Sequence, residues 1–71
     1  MTNRLKFARF EKGVNQFYVA KAIGIGRDRF LRIELEYTEP TRKEVLALAR
    51  YFRKPVGDLF PDYQDEEAAA S

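Results

Sequence analysis

The sequence contains no cysteine and no histidine in its 71 residues. Without cysteine there can be no disulfide, no thiolate metal ligand and no thiol nucleophile. Without histidine the commonest general base and a common metal ligand are missing. We therefore expect no metal, no cofactor and no enzymatic activity. Asp28 and Glu34 could be imagined as an acid–base pair, but no Gly-rich phosphate loop accompanies them.

Long apolar runs are also missing. No segment approaches the length of a membrane span, and the first residues lack the pattern of a signal peptide. We therefore expect a cytoplasmic protein with no membrane partner. Because no disulfide supports so short a chain, its stability depends on helix packing or on a second subunit.

Charge is distributed unevenly along the chain. Residues 1–61 hold all 13 Lys and Arg but only 7 acidic residues, a net charge of +6, whereas residues 62–71 hold four acids and no base. A basic body suggests a polyanion as its partner, although the same charge also serves solubility. The pattern predicts a folded domain at 1–61 and an acidic, disordered tail at 62–71.

Helix signals divide the chain into five segments, and no segment alternates with a period of two, so an all-α fold is expected. The first helix runs from a cap at Asn3 to Lys12 and is ended by Gly13, and the second is capped by Asn15. The third spans about 27–36, and the fourth follows a capping box at Thr41–Glu44. The fifth begins at Pro55 and ends at Pro61. The expected core includes Leu5, Ala8, Val19, Ala20, Ile23, Phe30, Ile33, Val45, Leu46, Leu48, Ala49 and Phe52. The fifth helix carries Val56, Leu59 and Phe60.

The connection between the second and third helices is very short. Gly24 stands where a helix end needs a left-handed residue, and Ala20 is small where the two helices must approach. So short a connection forces a steep crossing angle, which is typical of a helix-turn-helix motif.

The third helix has a polar outward face. At 100° per residue, Phe30 and Ile33 point inward, whereas Asp28, Leu31, Arg32 and Leu35 point outward with Arg27 and Arg29 on the flanks. Arginine can bridge guanine O6 and N7, aspartate can accept from a cytosine amino group, and leucine can contact a thymine methyl. The turn geometry favours this interpretation over a merely solvated face.

The segment NQFYVAKAIGIGRDRFLRIE, residues 15–34, resembles the helix-turn-helix of the Cro/C1-type (XRE-like) family, to which the lambda repressor belongs. NRLKFARFEKG, EPTRKEVLALARYF and PVGDLF resemble the family's first, fourth and fifth helices, so the likeness covers about residues 3–60. The resemblance implies a compact five-helix, lambda-repressor-like domain. It also implies a sequence-specific DNA-binding transcriptional regulator, a repressor, that binds double-stranded DNA as a homodimer.

The resemblance and the side-chain chemistry together assign roles to individual residues. Base contacts are expected from Arg27, Asp28, Leu31 and Arg32, and phosphate contacts from Gln16, Arg29, Tyr37, Arg42 and Lys43. Arg9 and Glu34 are expected to form a partly buried ion pair. The dimer contact is expected from Val56, Leu59, Phe60 and Tyr63.

The chain also departs from the family pattern. Gly26 replaces the usual Ser or Thr cap, and Glu36 replaces a Gly that often ends the third helix, so that helix is expected to run on. Glu36 and Glu39 would repel DNA, and Arg42 and Lys43 could compensate.

Apolar side chains occupy positions that are usually polar in the family, namely Phe7, Phe17, Tyr18, Leu31, Leu35 and Tyr37. Local packing under a loop would explain them. The alternative is a helix-turn-helix domain used as a protein-binding module, antitoxin-like or an antirepressor adaptor, with a protein partner on Phe7, Phe17, Tyr18 and Leu35.

Overall fold

Five α-helices make up the computed structural model, which describes residues 2–64. They are α1 (Leu5–Lys12), α2 (Gln16–Ile23), α3 (Arg27–Glu34), α4 (Arg42–Phe52) and α5 (Val56–Leu59). Residues 2–64 contain no strand, so the prediction of an all-α, five-helix chain is confirmed. In this part of the chain no helix combines the length and the hydropathy that a membrane crossing would require. Most of the predicted acidic tail, residues 65–71, lies outside the described residues.

Local capping signals set most of the helix ends. Asn15 accepts a hydrogen bond from the Tyr18 backbone N–H (3.0 Å) and starts α2. Thr41 and Glu44 form the complete predicted capping box at the start of α4. Gly24 follows α2 with φ 80°, the left-handed conformation expected for a short turn. The helix-turn-helix geometry therefore arises from interactions within a few residues.

The start of α1 differs from the prediction. Arg4, not Asn3, occupies the cap position, and its side chain makes no capping bond. The Asn3 amide reaches further instead, since it accepts from the Leu5 N–H (3.1 Å) and donates to the Ile33 carbonyl (3.0 Å). Asn3 therefore links the beginning of α1 to the end of α3.

The end of α3 also differs from the prediction. The helix stops at Glu34, and Glu36 takes a left-handed φ of 67° although it is not glycine. The Tyr37 N–H donates to the Arg32 carbonyl (2.8 Å), which satisfies a free helix-end group, and the Asn3 N–H donates to the Glu36 carboxylate (3.2 Å). These bonds hold the backbone in the turn that a glycine would favour.

The core lies where α2 packs on α3 and α4, and where α4 packs on α5. Its buried apolar side chains are Leu5, Ala8, Val19, Ala20, Phe30, Ile33, Val45, Leu48, Phe52, Leu59 and Phe60. Three residues that were predicted to be buried, Ile23, Leu46 and Ala49, are only half-buried. The core therefore fixes one face of α3 and leaves the opposite face open.

Candidate nucleic-acid interface

The outward face of α3 is exposed as its periodicity indicates. Phe30 and Ile33 are buried in the core, whereas Arg27, Asp28 and Arg32 are exposed. Leu31 lies half-buried between them. Gly26 caps the helix without a side chain. Two guanidinium groups, one at the start of α3 and one in its last turn, are therefore exposed together with the Asp28 carboxylate.

One flank of α3 is joined to α1 by the Arg9–Glu34 ion pair. Arg9 Nε lies 2.6 Å from Glu34 Oε2, and Arg9 Nη2 lies 2.9 Å from Oε1. Only 9% of the Arg9 side chain and 5% of the Glu34 side chain are exposed. These hydrogen bonds raise the pKa of Arg9 above its ordinary value, against the opposing effect of burial. The pair connects two helices that are distant in sequence.

The other flank of α3 is joined to α4 by a second bidentate pair. Arg29 Nε lies 2.6 Å from Glu44 Oε2, and Arg29 Nη2 lies 2.7 Å from Oε1. The hydrogen bond from Arg29 is the largest cause that lowers the pKa of Glu44, with burial opposing it. The sequence predicted Arg29 as a phosphate contact, but its guanidinium group faces Glu44.

Cationic and polar groups surround the exposed face of α3. Gln16, at the start of α2, donates through Nε2 to Glu34 (3.2 Å), which leaves the second N–H of this amide for another acceptor. Tyr37, Arg42 and Lys43 are exposed beyond the end of α3 and at the start of α4. Within residues 2–64, the side chains of Arg27, Arg32 and Lys43 form no ion pair. These three cations are therefore not engaged by carboxylates within the described residues, although Asp28, Glu36 and Glu39 are exposed on the same part of the chain.

No family model matches this chain. The chain is 31% identical to an uncharacterized HTH-type transcriptional regulator from Methanocaldococcus jannaschii. The match extends over 67 residues, which cover 94% of this chain and 100% of the relative. The chain belongs to the HTH-type transcriptional regulators. The cryptic phage CTXphi transcriptional repressor RstR of Vibrio cholerae is 30% identical over 61 residues, which cover 86% of this chain and 55% of RstR. This chain therefore matches about half of the length of RstR.

Two of the predicted dimer-contact residues of this HTH-type regulator lie inside the single chain. Leu59 is 0% and Phe60 is 1% exposed, so neither side chain can reach a second subunit. The sequence could not distinguish them from surface positions, because α5 is too short to show a periodicity. Val56 and Tyr63 are half-buried against the core and keep part of their surface open.

Among residues 2–64, the regulator exposes six large apolar side chains. Five of them were singled out from the sequence, and the sixth, Phe10, was missed. Phe10 lies three residues after Phe7 on the outward face of α1, a spacing that could have found it. Lys6 Nζ and Arg9 Cζ lie 5.9 Å and 5.4 Å from the centroid of its ring. Phe17 and Tyr18 contact each other edge to face, with ring centroids 6.3 Å apart.

Proposed function

We propose that this regulator is of the Cro/C1 type and binds double-stranded DNA in a sequence-specific manner, with α3 in the major groove. One observation carries the proposal. α3 buries Phe30 and Ile33 while it presents Arg27, Asp28 and Arg32 on the opposite face. In helix-turn-helix proteins the N-terminal residues of the second helix contact base edges.

The exposed groups match the edges of bases. Arg27 and Arg32 can each donate two hydrogen bonds to guanine O6 and N7, and Asp28 can accept from a cytosine amino group. Leu31, which is partly exposed, can contact a thymine methyl. These four residues supply discrimination in the proposed complex.

Phosphate contacts position the duplex. Lys43 and Arg42 at the start of α4, Tyr37 after α3, and the second amide N–H of Gln16 are the proposed donors. Glu36 and Glu39 are both exposed, and their negative charges repel the phosphate backbone of the DNA and weaken its attraction to the protein. Affinity therefore depends on a small number of cations, and it falls as salt is added.

A homodimer that represses transcription fits this interface. Two copies of α3 would read half-sites one helical turn apart, about 34 Å. Val56 and Tyr63 are the remaining candidates for the subunit contact. The repressor role is proposed because one relative, RstR, is named a transcriptional repressor.

Selection of bound duplexes from a random DNA pool tests the proposal, followed by fluorescence anisotropy on the selected site at several salt concentrations. We expect a short palindromic sequence and binding that weakens steeply with salt. A folded protein that binds no duplex even at low salt would overturn the proposal. In that case the exposed aromatic side chains would favour a protein-binding module.

A further inference from the structure

We propose that Glu44 is a specificity-determining residue that holds Arg29 away from the DNA backbone. Its carboxylate pairs with the guanidinium group of Arg29, so this arginine orients α3 and adds no sequence-independent affinity for DNA. The inference rests on the proposed function, because it concerns the side of α3 that would lie against the duplex.

The geometry of the pair carries the inference. Arg29 lies in the first turn of α3, beside the exposed Asp28, and 41% of its side chain is exposed. Its Nε and Nη2 both donate to Glu44, at 2.6 Å and 2.7 Å. The remaining N–H groups can reach water, but the pair as a whole has no net charge. A neutral pair releases few counterions from DNA, whereas an unpaired arginine on a phosphate releases about one.

Glu44 cannot easily release Arg29. Its Oε1 also accepts from the Thr41 backbone N–H (2.7 Å), and this bond is half of the capping box that starts α4. The residue is only 8% exposed. If Arg29 turned toward a phosphate, it would leave a nearly buried carboxylate without its main partner, which is costly. The capping box therefore holds the Glu44 carboxylate in place, and this carboxylate in turn holds the guanidinium group of Arg29.

This arrangement favours specific over random binding. Arg27 and Arg32 form no ion pair within the described residues and are free to read bases, whereas Arg29 is neutralised. Removing the charge of Glu44 would release a cation beside the duplex, and that cation would strengthen binding to every sequence alike. The ratio of specific to random affinity would fall.

The test measures the affinity of the full chain for a random duplex and for its selected site, by fluorescence anisotropy over a salt series. Glu44→Gln keeps the side-chain length and an oxygen for the capping box, but it removes the charge. We expect binding to the random duplex to tighten by about threefold to tenfold at low salt, with a salt slope steeper by about 0.9. Arg29→Gln/Glu44→Gln should return the slope to that of the wild type.

Glu11→Gln is the matched control, because it removes the carboxylate of the Lys54–Glu11 bridge, in which α3 takes no part, and so also releases a cation. If Glu44→Gln and Glu11→Gln change the slope equally, general electrostatics explains the effect and the inference is overturned. The double variant Arg29→Gln/Glu44→Gln provides a second test, because it removes both charges and leaves no unpaired carboxylate beside the duplex. The inference expects the double variant to keep the wild-type slope, whereas a slope flatter by about 0.9 would make Arg29 a phosphate contact.

The two proposals fail differently. If the wild-type protein shows no salt-dependent binding to any duplex, the proposed function fails. If the wild type binds and Arg29→Gln/Glu44→Gln flattens its slope, only the role of Glu44 fails.

Discussion

Arg9 and Glu34 join α1 to α3 through two parallel hydrogen bonds of 2.6 Å and 2.9 Å. Glu34 lies on one flank of α3, and Arg29, paired with Glu44 of α4, lies on the other. The outward face between them is thereby held at a defined angle to the body of the protein. We infer that the two pairs pre-organise the face that carries Arg27, Asp28 and Arg32.

Arg9→Met should destabilise the fold strongly, because it leaves the Glu34 carboxylate nearly buried without its cation. The expected loss is about 3–5 kcal/mol of unfolding free energy, measured by urea denaturation. The double variant Arg9→Met/Glu34→Leu should recover much of this loss. Lys54→Met, which breaks the exposed Lys54–Glu11 bridge, is the control and should cost far less. Equal losses in the two single variants would contradict the architectural role of the Arg9–Glu34 pair.

The stability of the fold should depend on pH through Glu44. Its pKa is lowered from 4.5 chiefly by the hydrogen bond from Arg29, so the folded state holds the charged form more strongly than the unfolded state does. This stabilisation is present above the unfolded pKa and is lost as the pH falls through the folded pKa. Glu44→Gln should therefore lower stability near neutral pH and flatten its acid dependence. Parallel urea curves for the variant and the wild type at every pH would argue against this.

Gly24→Val should damage the fold through the backbone alone. Gly24 has φ 80°, and a Cβ at this position would meet no atom within 4 Å, so the Cβ itself adds no steric clash with neighbouring residues. A left-handed conformation costs a residue with a Cβ about 1–2 kcal/mol, and a β-branched residue more. Gly57→Ala is the control, because Gly57 lies in α5 with equally open space, and it should stabilise slightly. An unchanged melting temperature in Gly24→Val would contradict the left-handed turn.

Arg53→Gly should stabilise the protein. Arg53 follows α4 with φ 54°, a conformation that glycine adopts without a Cβ penalty. The expected gain is about 1 kcal/mol, which raises the melting temperature of a domain of this size by about 4–8 °C. Arg50→Gly, inside α4, is the opposite control and should lower it. A decrease in both variants would mean that the Arg53 side chain stabilises the folded state more than its backbone conformation costs.

Arg32→Ala and Lys43→Ala should affect DNA binding in different ways. If Arg32 reads a guanine, its loss costs about 1–3 kcal/mol on the selected site and relaxes the preference at one base pair. If Lys43 contacts a phosphate, its loss weakens binding to all sequences and reduces the salt slope by about 1. Anisotropy on the selected site and its single-base variants distinguishes the two. A uniform loss in Arg32→Ala would reassign Arg32 to the backbone.

Features that depend on neighbours within one or two turns were readable from the amino-acid order. The Asn15 cap, the Thr41–Glu44 capping box and the left-handed Gly24 each involve side chains and backbone groups three or four residues apart. The buried and exposed faces of α3 follow in the same way from its 3.6-residue period. These local signals were sufficient for the five helices and for the face that carries Arg27 and Arg32.

Features that depend on which helices meet could be seen only after the chain had folded. The partner of Arg29 lies 15 positions away in α4, and no local pattern distinguishes an arginine that faces DNA from one that faces a carboxylate. The left-handed Glu36 is held by Asn3, 33 positions earlier, and Leu59 and Phe60 are buried because α5 packs on α4. Such contacts are selected by the shape of the whole core, where a side chain's burial depends on every helix around it.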